Sequence, residues 1–253
     1  MNSGNFRRRR LWLRLRRVRE IPGLPQRLAD PVFNRGFRAC YKVVREFTLL
    51  GYPRCRSLFS AVLEAVAKQI PGGVVECGAA AGGSAALMGL ALKQIGAERR
   101  LYVFDTFEGL PPPSAEDPDF DVAVGYTGRC LGRIEQVDNL FKQLGLSNYK
   151  LVKGLFQDTL PVADTGPIAV LHLNGDWYES TMCCLENLWD RVSPGGILQI
   201  DDYGFWKGCR KAVDEFIKRR KIEASLRYID VSGRRLIKPL RSEGYRDLAA
   251  ARQ

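Results

Sequence analysis

Short apolar segments alternate with longer amphipathic ones through the middle of the 253-residue chain. The apolar runs predict strands, and the stretches between them carry apolar side chains at helical spacing. The predicted strands are Val74–Cys77, Leu101–Phe104, Tyr149–Val152, Ile168–Leu173 and Ile197–Ile200. The predicted helices between them cover 83–95, 130–144, 181–192 and 208–220. This alternation indicates an α/β fold in which a doubly wound, mostly parallel sheet has helices on both faces.

The pattern changes at both ends of this region. Two helices are predicted before the first strand, over 31–50 and 55–70. After the last helix, only Ser-Gly-Arg separates Leu226–Val231 from Arg235–Ile237, which predicts a hairpin. A sheet that ends in an antiparallel hairpin favours the methyltransferase variant of the Rossmann-like fold over a plain dehydrogenase sheet.

A breaker cluster, Ile21-Pro-Gly-Leu-Pro25, divides the chain. We predict a basic, poorly ordered leader over 1–25 and a single domain over 26–253. The domain would consist of N-terminal helices (26–72) and an α/β core (73–240).

The net charge of +11 is concentrated at the two ends of the chain. Residues 1–20 hold eight Arg against Glu20 alone, residues 207–253 are also basic, and the region between is mildly acidic. A nucleic-acid binder more often spreads its basic side chains over the folded face that contacts phosphates, so nucleic acid is not an expected partner. The Arg-rich leader, with Trp12, can lie on an anionic membrane surface, and a leader without membrane contact is the simpler alternative.

Several classes of protein are excluded by counting residues. The seven cysteines are odd in number and contain no CxxC pair, so neither a disulfide framework nor a zinc site is indicated. His172 is the only histidine and lies in a buried-strand pattern, which favours a role in the core. Charged residues interrupt the apolar part of the leader, which is therefore not a signal peptide, and we expect a cytoplasmic protein.

A glycine-rich turn follows the first predicted strand and begins a helix. Its spacing is Gly78-x-x-x-Gly82-Gly83 and not G-x-G-x-x-G, so it suits an uncharged or zwitterionic nucleoside better than a pyrophosphate. Glu76, just before the turn, suits an amine. A tight turn that binds no ligand is the alternative.

Acidic residues follow the next two strands. Asp105 can accept from both hydroxyls of a ribose, and Asp158 can accept from an adenine amino group. Because parallel strands end at one edge of the sheet, the glycine turn, Asp105 and Asp158 together predict an adenosine-shaped site.

A second group of oxygen ligands follows the fourth and fifth strands. Asn174, Asp201 and Asp202 would meet at the same edge, and such ligands suit Mg²⁺ or Ca²⁺. A cation there can orient a substrate hydroxyl and lower its pKa. The alternative is that these side chains cap local loops and helices.

Five segments of the chain resemble the macrocin O-methyltransferase family over about residues 45–220. They are Leu101–Pro111, Lys153–Pro161, Asp176–Thr181, Ser193–Gly196 and Asp201–Tyr203. The resemblance implies a class I methyltransferase that uses S-adenosylmethionine to methylate a hydroxyl, often of a sugar on a natural product. It also implies a divalent metal, usually Mg²⁺.

The resemblance also implies roles for individual residues. The cofactor site would comprise Glu76, Gly78, Ala79, Ser84, Asp105, Thr106, Gln157 and Asp158. Asp201 and Asp202 would bind the metal. Asn174 departs from the family pattern, in which an Asp is the first metal ligand and proposed general base.

An Asn can still bind a metal through its amide oxygen, but it cannot take a proton. We therefore predict Asn174 and Asp176 at the catalytic centre, where either a neighbour such as Asp176 takes the role of the base, or the metal site is weak, or activity is lost. The alternative is a catalytically impaired protein that still binds a nucleoside. A nucleic-acid methyltransferase is less favoured, because the carboxylates at 201 and 202 would repel phosphates.

The resemblance implies that the acceptor, a small molecule and possibly a sugar, binds near 31–60 and 111–129. The amphipathic helices before Gly73 can form a contact between subunits, so a homo-oligomer is one expectation.

Overall fold

A computed structural model describes residues 35–240 of the chain. Its centre is a seven-stranded sheet of order β3-β2-β1-β4-β5-β7-β6, in which β1 to β5 are parallel and β7 is antiparallel to β5 and β6. The strands are β1 (Gly73–Cys77), β2 (Leu101–Asp105), β3 (Tyr149–Lys153), β4 (Ile168–Leu173), β5 (Val192–Ile200), β6 (Arg227–Tyr228) and β7 (Arg234–Ile237). The predicted doubly wound sheet with an antiparallel hairpin at its end is confirmed.

Eight α-helices lie within residues 35–240, and three short 3₁₀ turns accompany them at 45–47, 124–126 and 189–191. The helices are α1 (Arg35–Val44), α2 (Tyr52–Ala67), α3 (Gly83–Ile95), α4 (Phe120–Ala123), α5 (Ile134–Gln143), α6 (Phe156–Thr159), α7 (Tyr178–Leu188) and α8 (Lys207–Arg219).

The sheet separates two buried cores, because successive side chains of a strand point to opposite faces. Val74 packs on one face with α1, α2, α3 and α5, and Val75 packs on the other face with α7 and α8. Strand β1 lies between β2 and β4, so the chain order reverses there. In open α/β sheets, ligands bind outside the carboxyl ends of the strands at this switch point.

Several predicted boundaries differ from the structure. The helix predicted over 31–50 ends at Val44, the helix predicted over 181–192 covers Tyr178–Leu188, and the strand predicted over Leu226–Val231 covers only Arg227–Tyr228. Strand β5 begins at Val192 and not at Ile197, because the chain stays extended through Pro194 with a register shift against β4. The helix predicted over 130–144 begins only at Ile134, since Cys130 has a left-handed backbone (φ 59°) that does not fit a helical turn.

The predicted leader, residues 1–25, lies outside the described residues, as do 26–34 and 241–253. The domain boundaries and the membrane contact of the leader therefore stay predictions. Within residues 35–240, no helix combines the length and the apolar character that crossing a bilayer requires.

Candidate active site

A cavity of about 390 Å³ opens at the carboxyl ends of the five parallel strands, β1 to β5. This volume is within the range of small-molecule sites. Its wall combines the glycine turn after β1, the residues that follow β2, β4 and β5, and segments from the α1–α2 and β6–β7 loops. The cavity therefore lies at the switch point that the strand order defines.

The glycine turn after β1 is held in place by the Asp105 carboxylate. The Ala79 and Ala80 backbone amides donate to Asp105 Oδ2 at 2.6 and 3.0 Å, and the Phe107 amide donates to Asp105 Oδ1 at 2.6 Å. Gly78 has a φ of +88°, and a side chain there would overlap the Asn174 carbonyl oxygen. The ends of β1, β2 and β4 are thus fixed close together around one edge of the cavity.

Most of the predicted cofactor residues share this cavity. Gly78, Ala79, Ser84, Asp105, Thr106 and Gln157 all line it. Glu76 and Asp158 do not: Glu76 is fully buried within the sheet, and Asp158 is exposed on α6. Because neither residue lines the cavity, their roles at the cofactor stay predictions.

Glu76 contacts the only histidine. Its Oε1 lies 2.7 Å from His172 Nδ1, and both side chains are fully buried on neighbouring strands. Burial lowers the pKa of His172, but the nearby carboxylates of Asp201 and Glu76 outweigh it and raise the pKa to about 9. His172 is therefore a cation beneath the cavity at neutral pH, in the core position that the sequence predicts.

Arg54 reaches the site from α2 and joins two acidic residues. Its Nη1 forms an ion pair with Asp201 Oδ2, and its Nε donates to Asp230 Oδ2 at 3.1 Å. Asp201 is nearly fully buried, and His172 Nε2 lies 3.6 Å from its second oxygen. The charge of Asp201 is thus compensated by side chains of the protein itself.

Asp176 lies in the loop after β4 with a left-handed backbone (φ 55°). The Trp206 Nε1 group donates to Asp176 Oδ1 at 2.9 Å. Burial raises the pKa of Asp176, the Trp206 hydrogen bond lowers it, and the charges of Asp201 and Asp105 raise it, with a net pKa of about 7. A carboxylate with a pKa near 7 is suited to accept a proton at neutral pH.

Within residues 35–240, no cationic side chain forms an ion pair with Asp202, and Arg54 acts on it only through its charge. Burial and the charges of Asp176 and Asp201 raise the pKa of Asp202 well above its ordinary value. One oxygen of Asp201 (Oδ1) and one of Asp202 (Oδ2) are buried without a hydrogen-bond partner. Such groups need a partner to offset the loss of hydration.

These orphaned oxygens bear on the predicted metal. Asn174, Asp201 and Asp202 line the same cavity, and their oxygens fit a hard divalent cation. Among residues 35–240, however, no three His, Cys, Asp or Glu side chains form a cluster able to hold a metal. The predicted set reaches three ligands only through the Asn174 amide, and its Asp201 is already paired with Arg54.

The sequence did not indicate several residues of the wall. The loop after β5 supplies Phe205 and Trp206, and the β6–β7 turn supplies Val231 and Ser232. No spacing marks them, because their approach to the cavity depends on how the hairpin packs. Arg54 falls within the predicted acceptor region 31–60, but nothing distinguished it from the other arginines there.

Strand order, switch-point cavity and strand-end carboxylates together define the fold and site of a class I, Rossmann-like methyltransferase. The profile of the Macrocin-O-methyltransferase (TylF) family matches residues 42–236. The chain belongs to this family, as its motifs predicted.

Individual relatives support the same family assignment. The chain is 38% identical over 192 residues to the 8-demethyl-8-(2,3-dimethoxy-alpha-L-rhamnosyl)-tetracenomycin-C 4'-O-methyltransferase of Streptomyces olivaceus, covering 74% of this chain and 73% of the relative. It is 33% identical to the demethyldecarbamoylnovobiocin O-methyltransferase of Streptomyces niveus, with the same coverage. The solved structure of the O-methyltransferase NovP superposes with a TM-score of 0.71 at 31% identity, covering 77% of this chain and 83% of that one. The relatives support an O-methyltransferase.

Proposed function

We propose that this protein transfers the methyl group of S-adenosylmethionine to a hydroxyl of a sugar carried by a natural product. The observation that carries the proposal is the convergence of Asp105 and of Asn174, Asp176, Asp201 and Asp202 on one cavity at the switch point. The relatives are named for activity on a rhamnosyl tetracenomycin and on demethyldecarbamoylnovobiocin, which supports a small-molecule acceptor.

The cofactor would lie along the β1–β2 side of the cavity. A carboxylate has about four acceptor positions, so beside its three amide contacts Asp105 keeps one position on Oδ1, which can accept from a ribose hydroxyl. Ser84 is buried in the first turn of α3, where it faces the same cavity. S-adenosylmethionine supplies a methyl group on a sulfonium, so the protein has mainly to orient the acceptor oxygen in line with it.

Asp176 is the proposed general base. With the cofactor bound, its methyl group would pass from the sulfonium sulfur to the acceptor oxygen and leave a neutral thioether, and the hydroxyl proton would pass to the Asp176 carboxylate. Trp206 holds that carboxylate in place through its indole N–H. Asn174, at the family's acidic position, would orient the acceptor without taking a proton.

Mg²⁺ is proposed as an aid to this reaction. Asn174, Asp201 and Asp202 would hold it, and the unpartnered Asp202 Oδ2 supports the assignment, whereas Asp201 Oδ1 already lies 3.6 Å from His172 Nε2. A bound divalent cation lowers the pKa of a coordinated hydroxyl. The Arg54–Asp201 ion pair would compete for the same carboxylate.

Calorimetric titration with S-adenosylmethionine tests the cofactor directly. The full chain should bind with one site, and methylation of glycosylated acceptors should release S-adenosylhomocysteine. No binding by the wild-type protein would reject the proposal.

We also propose a cytoplasmic location and keep a homo-oligomer through the N-terminal helices as a prediction.

A second function is a nucleoside-binding protein without turnover. Asn174 favours it, and so does the pairing of Asp201 with Arg54, which compensates the carboxylate without a metal. Asn174→Asp separates the two candidates. A large gain in turnover would indicate an impaired enzyme, whereas a wild-type protein faster than the variant would exclude the second candidate.

A further inference from the structure

One segment between β2 and α5 contacts the starts of two helices. We refer to residues 111–126 as the capping segment, which contains α4 and donates or accepts hydrogen bonds at α7 and α8. Helix α7 begins at Tyr178 and α8 begins at Lys207, and neither receives a hydrogen bond from the side chain of its own N-cap residue. Because the first backbone amides of a helix have no acceptor within the helix, another group has to supply one.

Asp117 supplies the acceptor for α7. The Tyr178 amide donates to Asp117 Oδ1 at 2.7 Å, and the Ser114 amide donates to Asp117 Oδ2 at 3.0 Å. The Asp117 carboxylate is buried and also lies against the first turn of α8, where a side chain at Gly208 would overlap Oδ1. A carboxylate at a helix N-terminus is stabilised by the hydrogen bond and by the helix dipole. Asp117 therefore holds the start of α7 against the start of α8.

Asp119 makes the corresponding contact with α8. The Lys207 amide donates to Asp119 Oδ2 at 3.0 Å. One turn further along α8, Lys211 Nζ forms an ion pair with Glu116 Oε2 at 2.5 Å. The capping segment thus gives each helix start an anionic acceptor from outside the helix.

The groups at the proposed reaction centre lie directly before these two helices. Asp176 lies two residues before Tyr178, and Trp206 is the residue before Lys207. The hydrogen bond from the Trp206 indole to Asp176, 2.9 Å long, therefore joins the chain before α7 to the chain before α8. Its length depends on how the two helix starts are held relative to each other.

Further contacts connect the capping segment to the same two groups. The Trp177 Nε1 group donates to the Pro111 carbonyl at 2.7 Å. The Trp206 ring is edge-on to the rings of Trp177 and Tyr126, at 4.8 and 5.1 Å between centroids. The left-handed backbone of Asp176 is a conformation that persists only where the surrounding structure enforces it. The capping segment supplies part of that surrounding structure.

We propose that Asp117 and Asp119 are positioning residues, which set the place of the Asp176 carboxylate by holding the starts of α7 and α8. The inference rests on the proposed function, because it takes Asp176 to be the base of the methyl transfer. Neither Asp117 nor Asp119 lines the cavity, so both act through the two helix amides and the indole hydrogen bond. Misplacing a reacting group by about 1 Å can cost about a hundredfold in rate.

Variants of the full chain separate positioning from other roles. Asp117→Ala removes the acceptor of the Tyr178 amide, and Asp117→Asn keeps a side-chain oxygen in a group of the same shape. Asp119→Ala removes the contact with α8 and carries the same expectations if Asp117→Ala does not fold. The matched control is Glu135→Ala, which removes an exposed carboxylate from the first turn of α5, outside the cavity wall.

Nuclear magnetic resonance of isotope-labelled indoles gives a readout that needs no turnover. The chain has four tryptophans, and Trp206→Phe and Trp189→Phe identify the signals of these two. In Asp117→Ala the Trp206 N–H signal should shift, because its hydrogen bond to Asp176 changes length. The Trp189 signal, from the far end of α7, should stay in place, which distinguishes a local displacement from a general loss of structure. Glu135→Ala should leave both signals unchanged.

Steady-state methylation of demethyldecarbamoylnovobiocin, the compound for which one relative is named, gives the kinetic readout. Asp117→Ala should lower kcat about ten- to hundredfold, while the KM for S-adenosylmethionine stays within about twofold. Asp117→Asn should recover most of the rate, and Glu135→Ala should match the wild type. Equal rates in Asp117→Ala and Asp117→Asn would overturn the inference. A loss seen only as a higher KM for the acceptor would also overturn it, because Asp117 would then act in acceptor binding.

The proposed function is tested apart from the inference. If the wild-type protein does not bind S-adenosylhomocysteine, the proposed function fails. If it binds but does not methylate this acceptor, the indole signals alone decide the inference. A Trp206 signal that shifts in Asp117→Ala supports the positioning role, and a Trp206 signal that stays in place overturns it.

Discussion

Asp105 shows how one side chain can organise both a turn and a ligand site. Its carboxylate accepts three backbone amides from two loops and is nearly buried, yet it remains in the cavity wall. Charge-assisted hydrogen bonds of this kind are stronger than neutral ones. Asp105 therefore both stabilises the glycine turn and lies where it can make the proposed ribose contact.

Replacing Asp105 by Ala should weaken the binding of S-adenosylhomocysteine at least tenfold, because the turn loses its anchor and the ribose loses an acceptor. Isothermal titration measures the change. Asp164→Ala, which removes an exposed acid away from the cavity, is the control. Unchanged affinity in Asp105→Ala would contradict the proposed cofactor site.

The same titration decides the predicted role of Asp158. An adenine contact at Asp158 predicts a several-fold loss in Asp158→Ala. An unchanged affinity would remove this exposed residue from the site.

Asn174→Asp should lower the Mg²⁺ concentration that turnover requires. The substitution adds a negative charge to the two carboxylates, and the affinity of a hard cation rises with ligand charge. The measurement is the methylation rate across a Mg²⁺ titration. EDTA should stop turnover while the far-ultraviolet circular dichroism stays unchanged, and full activity in EDTA or in Asp201→Ala would show that the carboxylate pair is structural.

At the scale of elements, Arg54 links α2 to the end of β5 and to the β6–β7 turn. It binds Asp201 after β5 and Asp230 in the β6–β7 turn, and its carbonyl accepts from Gln199 of β5 at 3.2 Å. Arg54 therefore connects helix α2, the central sheet and the hairpin through its own contacts beside the cavity.

Arg54→Met should lower the free energy of unfolding by about 3 kcal/mol, since it leaves the buried Asp201 carboxylate without its main cation. Urea denaturation measures the loss. Arg45→Met is the control, because Arg45 and its partner Glu46 are exposed and such pairs contribute about 0–1 kcal/mol. A similar small loss in both variants would show that the Arg54 ion pairs do not stabilise the fold.

The elements differ in how far the sequence predicts them. Strand β4 is buried on both faces, so its apolar run marks it from end to end. The start of α5 could not be predicted, because Cys130 and the residues after it follow the packing of their loop against the glycine turn.

The residues of the site also differ in how far the sequence predicts them. Asp105 ends β2 and Asp201 directly follows β5, so parallel topology alone brings them to one edge of the sheet. Glu76 shares a sheet face with Val74 and His172, a consequence of strand alternation that explains its distance from the cavity wall. Phe205 and Val231 meet only through contacts between distant loops, which local pattern does not encode.

At the scale of the whole molecule, the cavity is made by the segments at the ends of the five parallel strands, which also separate the two cores. A ligand bound there should stabilise the fold as a unit. S-adenosylhomocysteine at one hundred times its Kd adds about 2.7 kcal/mol. For a chain of this size we expect Tm to rise by about 5–10 °C.

Differential scanning fluorimetry measures this rise. Asp105→Ala at the same ligand concentration should show a smaller shift, because a larger share of the variant stays unbound. An equal shift in both proteins would place the ligand away from Asp105.

The solitary histidine has a practical consequence. A chain with one imidazole gives a single set of histidine ring signals in nuclear magnetic resonance, so these signals need no assignment. That ring lies between Glu76 and Asp201, one side chain below the cavity floor. Arrival of a cation or acceptor at Asp201 should shift these signals, which makes His172 a spectroscopic reporter already built into the protein.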